Sequence, residues 1–113
     1  MHELSLAEGI LEIVEQTAAA EKARKVGRIV LEIGQLAAVE TDALRFCLDA
    51  VLAGSVADGA ALDIIDVAGR GRCSHCGAEV AMPERHAPCP QCAHYGLEVI
   101  AGDRMRVQAI EVE

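Results

Sequence analysis

Two Cys-x-x-Cys pairs, Cys73-Ser74-His75-Cys76 and Cys89-Pro90-Gln91-Cys92, constrain this chain more than anything else in it. A two-residue gap lets the chain fold back so that two thiolates converge on one ion. Gly77, directly after the first pair, can take the positive φ that such a knuckle demands. Two knuckles facing one another supply four soft sulfur ligands in a tetrahedron, which suits zinc first and a single iron second. Cys73, Cys76, Cys89 and Cys92 are therefore the candidate ligands of one structural Zn(II). The twelve residues between the pairs are slightly fewer than the usual spacing for this pattern. Four thiolates around zinc leave no open position for activating water, so the site is architectural.

The competing arrangement is a pair of disulfides in a secreted protein, and the surroundings of the motif do not suit it. The chain starts Met1-His2-Glu3, without a basic region followed by an apolar run. A fifth cysteine, Cys47, leaves an odd count, which fits a reducing compartment. A cytoplasmic protein is expected, with no stretch long enough to cross a membrane.

At 113 residues there is room for one ordinary core or two very small lobes. A ribbon of about 30 residues cannot bury enough surface to fold alone, so the metal must supply its stability. The formal net charge of −8 becomes more negative still once four thiolates close on a dication. Such a surface repels phosphate backbones and anionic membranes, and Phe46 and Tyr95 are the only aromatics available for stacking on bases. No nucleic-acid or membrane partner is expected.

Hydrophobic spacing predicts a helix from residue 4 to about 24, with Leu4, Ala7, Leu11, Val14 and Ala18 on one stripe. Ser5 and Glu8 have the form of a capping box, which would leave residues 1–4 outside the helix. Residues 28–33 alternate as a strand between Gly27 and Gly34. A second helix opens at Glu40 or Thr41, carries Leu44, Cys47, Leu48 and Val51, and ends at Gly54. Residues 62–67 and 105–112 read as further strands, the last with a shift of phase between Ala109 and Ile110. The fold class is α+β: a small lobe of two helices and a three-stranded sheet, with a zinc-ribbon module inserted before the last strand. Residues 1–69 plus 103–113 form the lobe and 70–102 the zinc-binding domain.

The chain start holds a second cluster. With histidine at position 2, the α-amino nitrogen, the His2 amide nitrogen and the His2 imidazole can close adjacent chelate rings around one ion. Such donors suit square-planar Ni(II) or Cu(II), and Glu3 can add an oxygen.

The opening Met1-His2-Glu3-Leu4-Ser5-Leu6, the Cys-x-x-Cys-Gly and Cys-Pro-x-Cys pairs, and the closing Ile110-Glu111-Val112-Glu113 together resemble the HypA/HybF family of hydrogenase nickel-incorporation metallochaperones, over essentially the whole chain. The resemblance implies an accessory protein that places nickel in [NiFe] hydrogenase, and in some organisms urease. It implies that His2 and Glu3 are the nickel residues at the N-terminus and that the four cysteines hold structural zinc. Its implied partners are a maturation GTPase and the hydrogenase large-subunit precursor, with this chain a monomer or weak homodimer. The chain departs from the family in having Glu40 and Asp42 where some members have a histidine, and Ala93-His94 where Gly-Ser is common.

Other residues have plainer readings. His75 and His94 lie within two residues of a zinc cysteine and are read as exposed loop residues; the alternative is exchange with a thiolate as pH falls. His86 is a loop residue and Cys47 a core residue. Glu8, Glu12 and Glu15 are a solvated face. No Ser-His-Asp set, His-Glu-x-x-His motif or phosphate-cradling glycine loop is present, so no catalytic residue is assigned and the chain is read as a non-enzyme. Two rival functions remain: a rubredoxin-like mononuclear iron electron carrier, which would be red, and a zinc-ribbon interaction module. Neither needs His2.

Overall fold

The computed structural model describes residues 2–113. The elements are α1 (His2–Ala20), β1 (Val26–Gly34), α2 (Thr41–Leu52), β2 (Ala61–Val67), β3 (Arg70–Cys73), β4 (Glu79–Ala81), β5 (Leu97–Ala101) and β6 (Met105–Val112). They make two three-stranded sheets, ordered β2-β1-β6 and β4-β3-β5. The α+β class is as expected, and so is the first sheet. The ribbon adds a second sheet of its own. Two units divide the chain: residues 1–31, 39–64 and 107–113, and residues 32–38 and 65–106.

In the first unit, α1 buries Ala7, Ile10, Val14 and Ala18 on one stripe and packs on α2, which buries Leu44, Leu48 and Leu52. Val26, Ile29 and Leu31 of β1 complete an aliphatic core. Both aromatics are outside the core: Phe46 is 75% exposed and Tyr95, in the second unit, 79%. Cys47 is half-buried rather than fully buried, because the α2 stripe runs at intervals of four through Leu44, Leu48 and Leu52 and leaves it on the flank.

Helix α1 begins at His2, three residues before the expected cap. Ser5 is an exposed residue inside it, and no capping box forms. Nothing in the first turn resists helix, and Glu3 sits where a negative charge is favoured by the helix dipole. The far end also differs from expectation. The N–H of Ala23 donates to Ala18 O and that of Lys22 to Ala19 O, with Lys22 at φ 54. This is a Schellman stop built without glycine.

Arg28, on the central strand, forms ion pairs with Asp63 of β2 and Glu111 of β6. It therefore ties both flanking strands to β1. Along β6, burial alternates at Met105 and Val107 and then resumes at Ile110, so the phase shift falls where the sequence placed it.

In the second unit, β3 pairs antiparallel with β4 and with β5, with a register irregularity at Arg70/Gly71. Arg72 faces Glu79 across the hairpin and donates to its carboxylate at 2.9 Å. The buried side chains here are few: Ile33, Leu36, Val80, Met82 and two of the cysteines. A β-carbon on Gly102, at φ +81, would lie 2.5 Å from Ala68 O, so only glycine fits there.

Candidate metal centres

The two knuckles share one hydrogen-bond pattern. The Cys73 N–H donates to Ala78 O, and the Gly77 N–H returns to Cys73 O at 2.9 Å. Sixteen residues on, the Cys89 N–H donates to His94 O and the Ala93 N–H returns to Cys89 O at 2.7 Å. The residue four beyond each leading cysteine is left-handed, Gly77 at φ 76 and Ala93 at φ 65. The second knuckle thus makes the same turn as the first with an alanine in the glycine position.

These turns bring Cys73, Cys76, Cys89 and Cys92 together, with all four sulfurs within 4.8 Å of one another. Cys73 Sγ lies 3.5 Å from Cys92 Sγ, and Cys76 Sγ lies 3.8 Å from Cys89 Sγ. A tetrahedron with Zn–S bonds of about 2.3 Å has edges of about 3.8 Å, so the observed cluster has the size of a ZnS₄ site. All five cysteines are free thiols. Among the described residues this is the one group of three or more metal-ligating side chains close enough to share an ion.

The environment is uneven. Cys73 and Cys89 are each 1% exposed, Cys92 is half-buried and Cys76 is exposed. The amides of Cys76 and His75 donate to Cys73 Sγ, at 3.5 and 3.4 Å, and hold its thiol at about 6 against the opposing pull of burial. Cys92 goes the other way. The His94 amide favours its thiolate, but burial and the crowded thiols of Cys73, Cys89 and Cys76 push it up to about 12. Four sulfurs this close cannot all ionise without a cation between them, which is the chemistry of a metal site.

One histidine from each knuckle pairs with the other. The rings of His75 and His94 stack with centroids 3.7 Å apart and planes 14° from parallel, and both residues are exposed. The stack was not legible in the sequence, where the sole signal was that each histidine neighbours a ligand. His86 is an exposed loop residue at φ 67.

At the other end of the chain, His2 is exposed in the first turn of α1. Glu3 is half-buried, and its Oε2 accepts the Glu40 N–H at 3.3 Å. Glu40 precedes α2, and its own side chain makes no capping bond. The structure thus brings Glu3 to the start of α2, where Glu40 and Asp42 are both exposed. The amine of Met1, the first expected nickel donor, lies outside the described residues. No helix among the described residues is long and apolar enough to cross a membrane.

The comparisons with known proteins agree with one another. Residues 1–112 match the family model described as hydrogenase/urease nickel incorporation, metallochaperone, hypA. The chain is 50% identical over 113 residues to the hydrogenase maturation factor HypA of Azotobacter chroococcum mcd 1, covering all of both chains. It is 54% identical over 110 residues to that of Azoarcus sp. (strain BH72), covering 97% of this chain and 96% of the other. Among solved structures, a HypA protein in solution superposes with a TM-score of 0.74 at 25% identity, covering 100% of this chain and 97% of that one. The nickel metallochaperone HypA of Helicobacter pylori gives 0.71 at 23% identity, covering 97% and 96%, and supports the fold. A full-length family match, whole-chain relatives at about half identity and a shared fold place this chain in the HypA family of hydrogenase-maturation nickel metallochaperones.

Proposed function

We propose that this chain carries Ni(II) as cargo at its N-terminus and hands it over during maturation of [NiFe] hydrogenase, while Zn(II) at the four cysteines is resident and structural. The observation that carries the nickel reading is the placement of His2. It is exposed in the first turn of α1, where backbone N–H groups have no acceptor within the helix. The His2 amide is thus free to lose its proton and ligate beside the imidazole and the terminal amine. Glu3 accepts the Glu40 N–H, which ties the residue next to His2 to the start of α2 and supports Glu3 as the added oxygen donor in this reading.

A site of this kind suits delivery. Few protein ligands and little burial give moderate affinity and fast exchange, which a carrier needs and a deep cage denies. The Irving–Williams order favours Cu(II) at such nitrogen-rich donors, so selectivity comes from metal availability or from the partner. Charge points the same way: the first unit has twelve acidic and five basic residues, the second six and five. The nickel-binding domain of this reading, 1–69 plus 103–113, has fifteen acidic and seven basic residues against three of each in the zinc-binding domain, 70–102, so it presents the acidic surface that attracts cations. The partners in this reading are the maturation GTPase and the hydrogenase large-subunit precursor in the cytoplasm, with urease as the other client class.

The test is nickel titration of the chain with a free N-terminus beside His2→Ala and a version with an N-terminal tag. Both changes abolish tight nickel binding and leave zinc near one per chain. Retained nickel affinity in either would overturn the terminal site, and a red, iron-containing preparation would overturn the zinc assignment.

A further inference from the structure

The four cysteines of the cluster differ in exposure, and that difference has a chemical consequence. Cys73 and Cys89 are sealed, each 1% exposed, and Cys73 in addition receives two backbone N–H groups. Such donors draw electron density from a thiolate and lower its nucleophilicity. Cys92 is half-buried, and Cys76 alone is exposed. The knuckle geometry explains the order. The leading cysteine of each pair points inward at the end of its turn, whereas Cys76 follows exposed Ser74 and His75 at the tip of the first loop. Each leading cysteine also exchanges two backbone bonds with the residues four and five beyond it, which fixes it in place.

We propose that Cys76 is the oxidation site of this protein, and that its oxidation by a peroxide joins it to Cys89 and releases zinc from the cluster. The inference rests on the reading of the cluster as a zinc site. The Cys76 thiolate attacks one oxygen of the peroxide; an S–O bond forms, the O–O bond breaks, and a proton converts the departing hydroxide to water. Cys76 is then a sulfenic acid. A thiolate attacks its sulfur, an S–S bond forms, and the second hydroxide leaves as water on taking another proton. In sum, two thiolates, one hydrogen peroxide and two protons give one disulfide and two waters. Cys89 is the resolving thiolate because its sulfur faces Cys76 at 3.8 Å from the opposite knuckle. The cation is left with Cys73 and Cys92, too few sulfurs to hold it. Cys47 plays no part, since it lies in α2 and outside the cluster.

The experiment uses the intact zinc-loaded chain, because Cys76→Ser removes a ligand and risks unfolding the ribbon. Zinc is first quantified by elemental analysis. The protein is then treated with hydrogen peroxide; released zinc is followed with a chromophoric chelator, and each cysteine is mapped by differential alkylation and mass spectrometry. Cys76 is expected to be modified about tenfold faster than Cys73 or Cys89, as its access to solvent implies. A Cys76–Cys89 disulfide should accumulate in step with zinc release, and Cys47→Ser should leave the release rate unchanged. First modification at any other cysteine, zinc release ahead of any modification, or a disulfide lacking Cys76 would overturn the proposal. A starting sample without zinc would instead overturn the zinc assignment on which it rests.

Discussion

Ala93 stands where the sister knuckle has glycine, and this asymmetry gives a prediction with a sign and a size. Gly77 at φ 76 and Ala93 at φ 65 make the same return bond to the carbonyl of their leading cysteine. A residue with a β-carbon costs about 1–2 kcal/mol in the left-handed region. Ala93→Gly removes that cost, and the greater freedom of glycine in the unfolded chain takes back about 0.4–1 kcal/mol. The net gain is about 0.5–1 kcal/mol. Gly77→Ala is the mirror experiment. A β-carbon at Gly77 would meet nothing within 4 Å, so its cost is one of backbone conformation alone and of similar size. Folding of a small zinc ribbon and binding of its zinc are one equilibrium, so both changes should appear in zinc affinity. Ala93→Gly should bind zinc about two- to fivefold more tightly and Gly77→Ala about two- to fivefold more weakly. Competition against a chelator of known zinc affinity at fixed pH and salt measures both. Weaker zinc binding by Ala93→Gly, or no change in Gly77→Ala, would show that φ does not govern these turns.

Removing zinc with a strong chelator should melt one unit and spare the other. The first unit buries eleven apolar side chains, whereas the second buries four besides its two sealed cysteines. Helical circular dichroism should survive while amide protection in β3–β5 falls about a hundredfold or more, and equal loss in Val26–Leu31 would refute this. Gly9 lies exposed inside α1 with open space around its α-carbon, so Gly9→Ala should stabilise the first unit by about 0.5–1 kcal/mol, read as a higher Tm by calorimetry. Arg28, whose pKa is raised above the ordinary arginine value by its bond to Asp63, contributes fully below that ordinary value and loses its contribution only as pH rises through the raised one. Arg28→Met should therefore lower Tm by a modest amount that is constant from neutral pH to pH 10 and that shrinks in 1 M salt, because the pair is exposed and screened.

The parts of this chain that were legible in its sequence are those where chemistry imposes a spacing. One ion needs two thiolates per turn, so the four ligands could be named from their intervals and then appeared within 4.8 Å of one another. Gly77 was legible for the same reason, since a positive φ favours glycine. Strand β1 alternated and buried Ile29, Leu31 and Ile33 as its pattern required. The misread features depend on what surrounds a residue. Ser5 and Glu8 fit a capping box, but that motif works only if the chain turns there, and nothing before Ser5 stops the helix. The end of α1 was misplaced because Lys22 takes the left-handed position without the glycine that usually marks it. Ala93 hides in the same way, held by its bond to Cys89 O.

The two metal readings differ in how much the fold has to supply. At the ribbon, the turns build the site and a single misplaced sulfur would spoil the tetrahedron. At the N-terminus, three of the proposed donors are covalently adjacent, so chelation needs no tertiary structure, and the fold's contribution is to keep His2 exposed and Glu3 tied to Glu40. That contrast explains why spacing alone was a strong argument for the cysteines and a weak one for His2. A histidine at position 2 acquires meaning from what accompanies it: a place in the first turn of a helix, an acidic lobe and a four-cysteine ribbon in one chain. It also explains why loss of zinc and loss of nickel should be separable. An ion held by turns is lost when the turns fail, whereas an ion held by the first two residues is lost only when those residues are altered or covered.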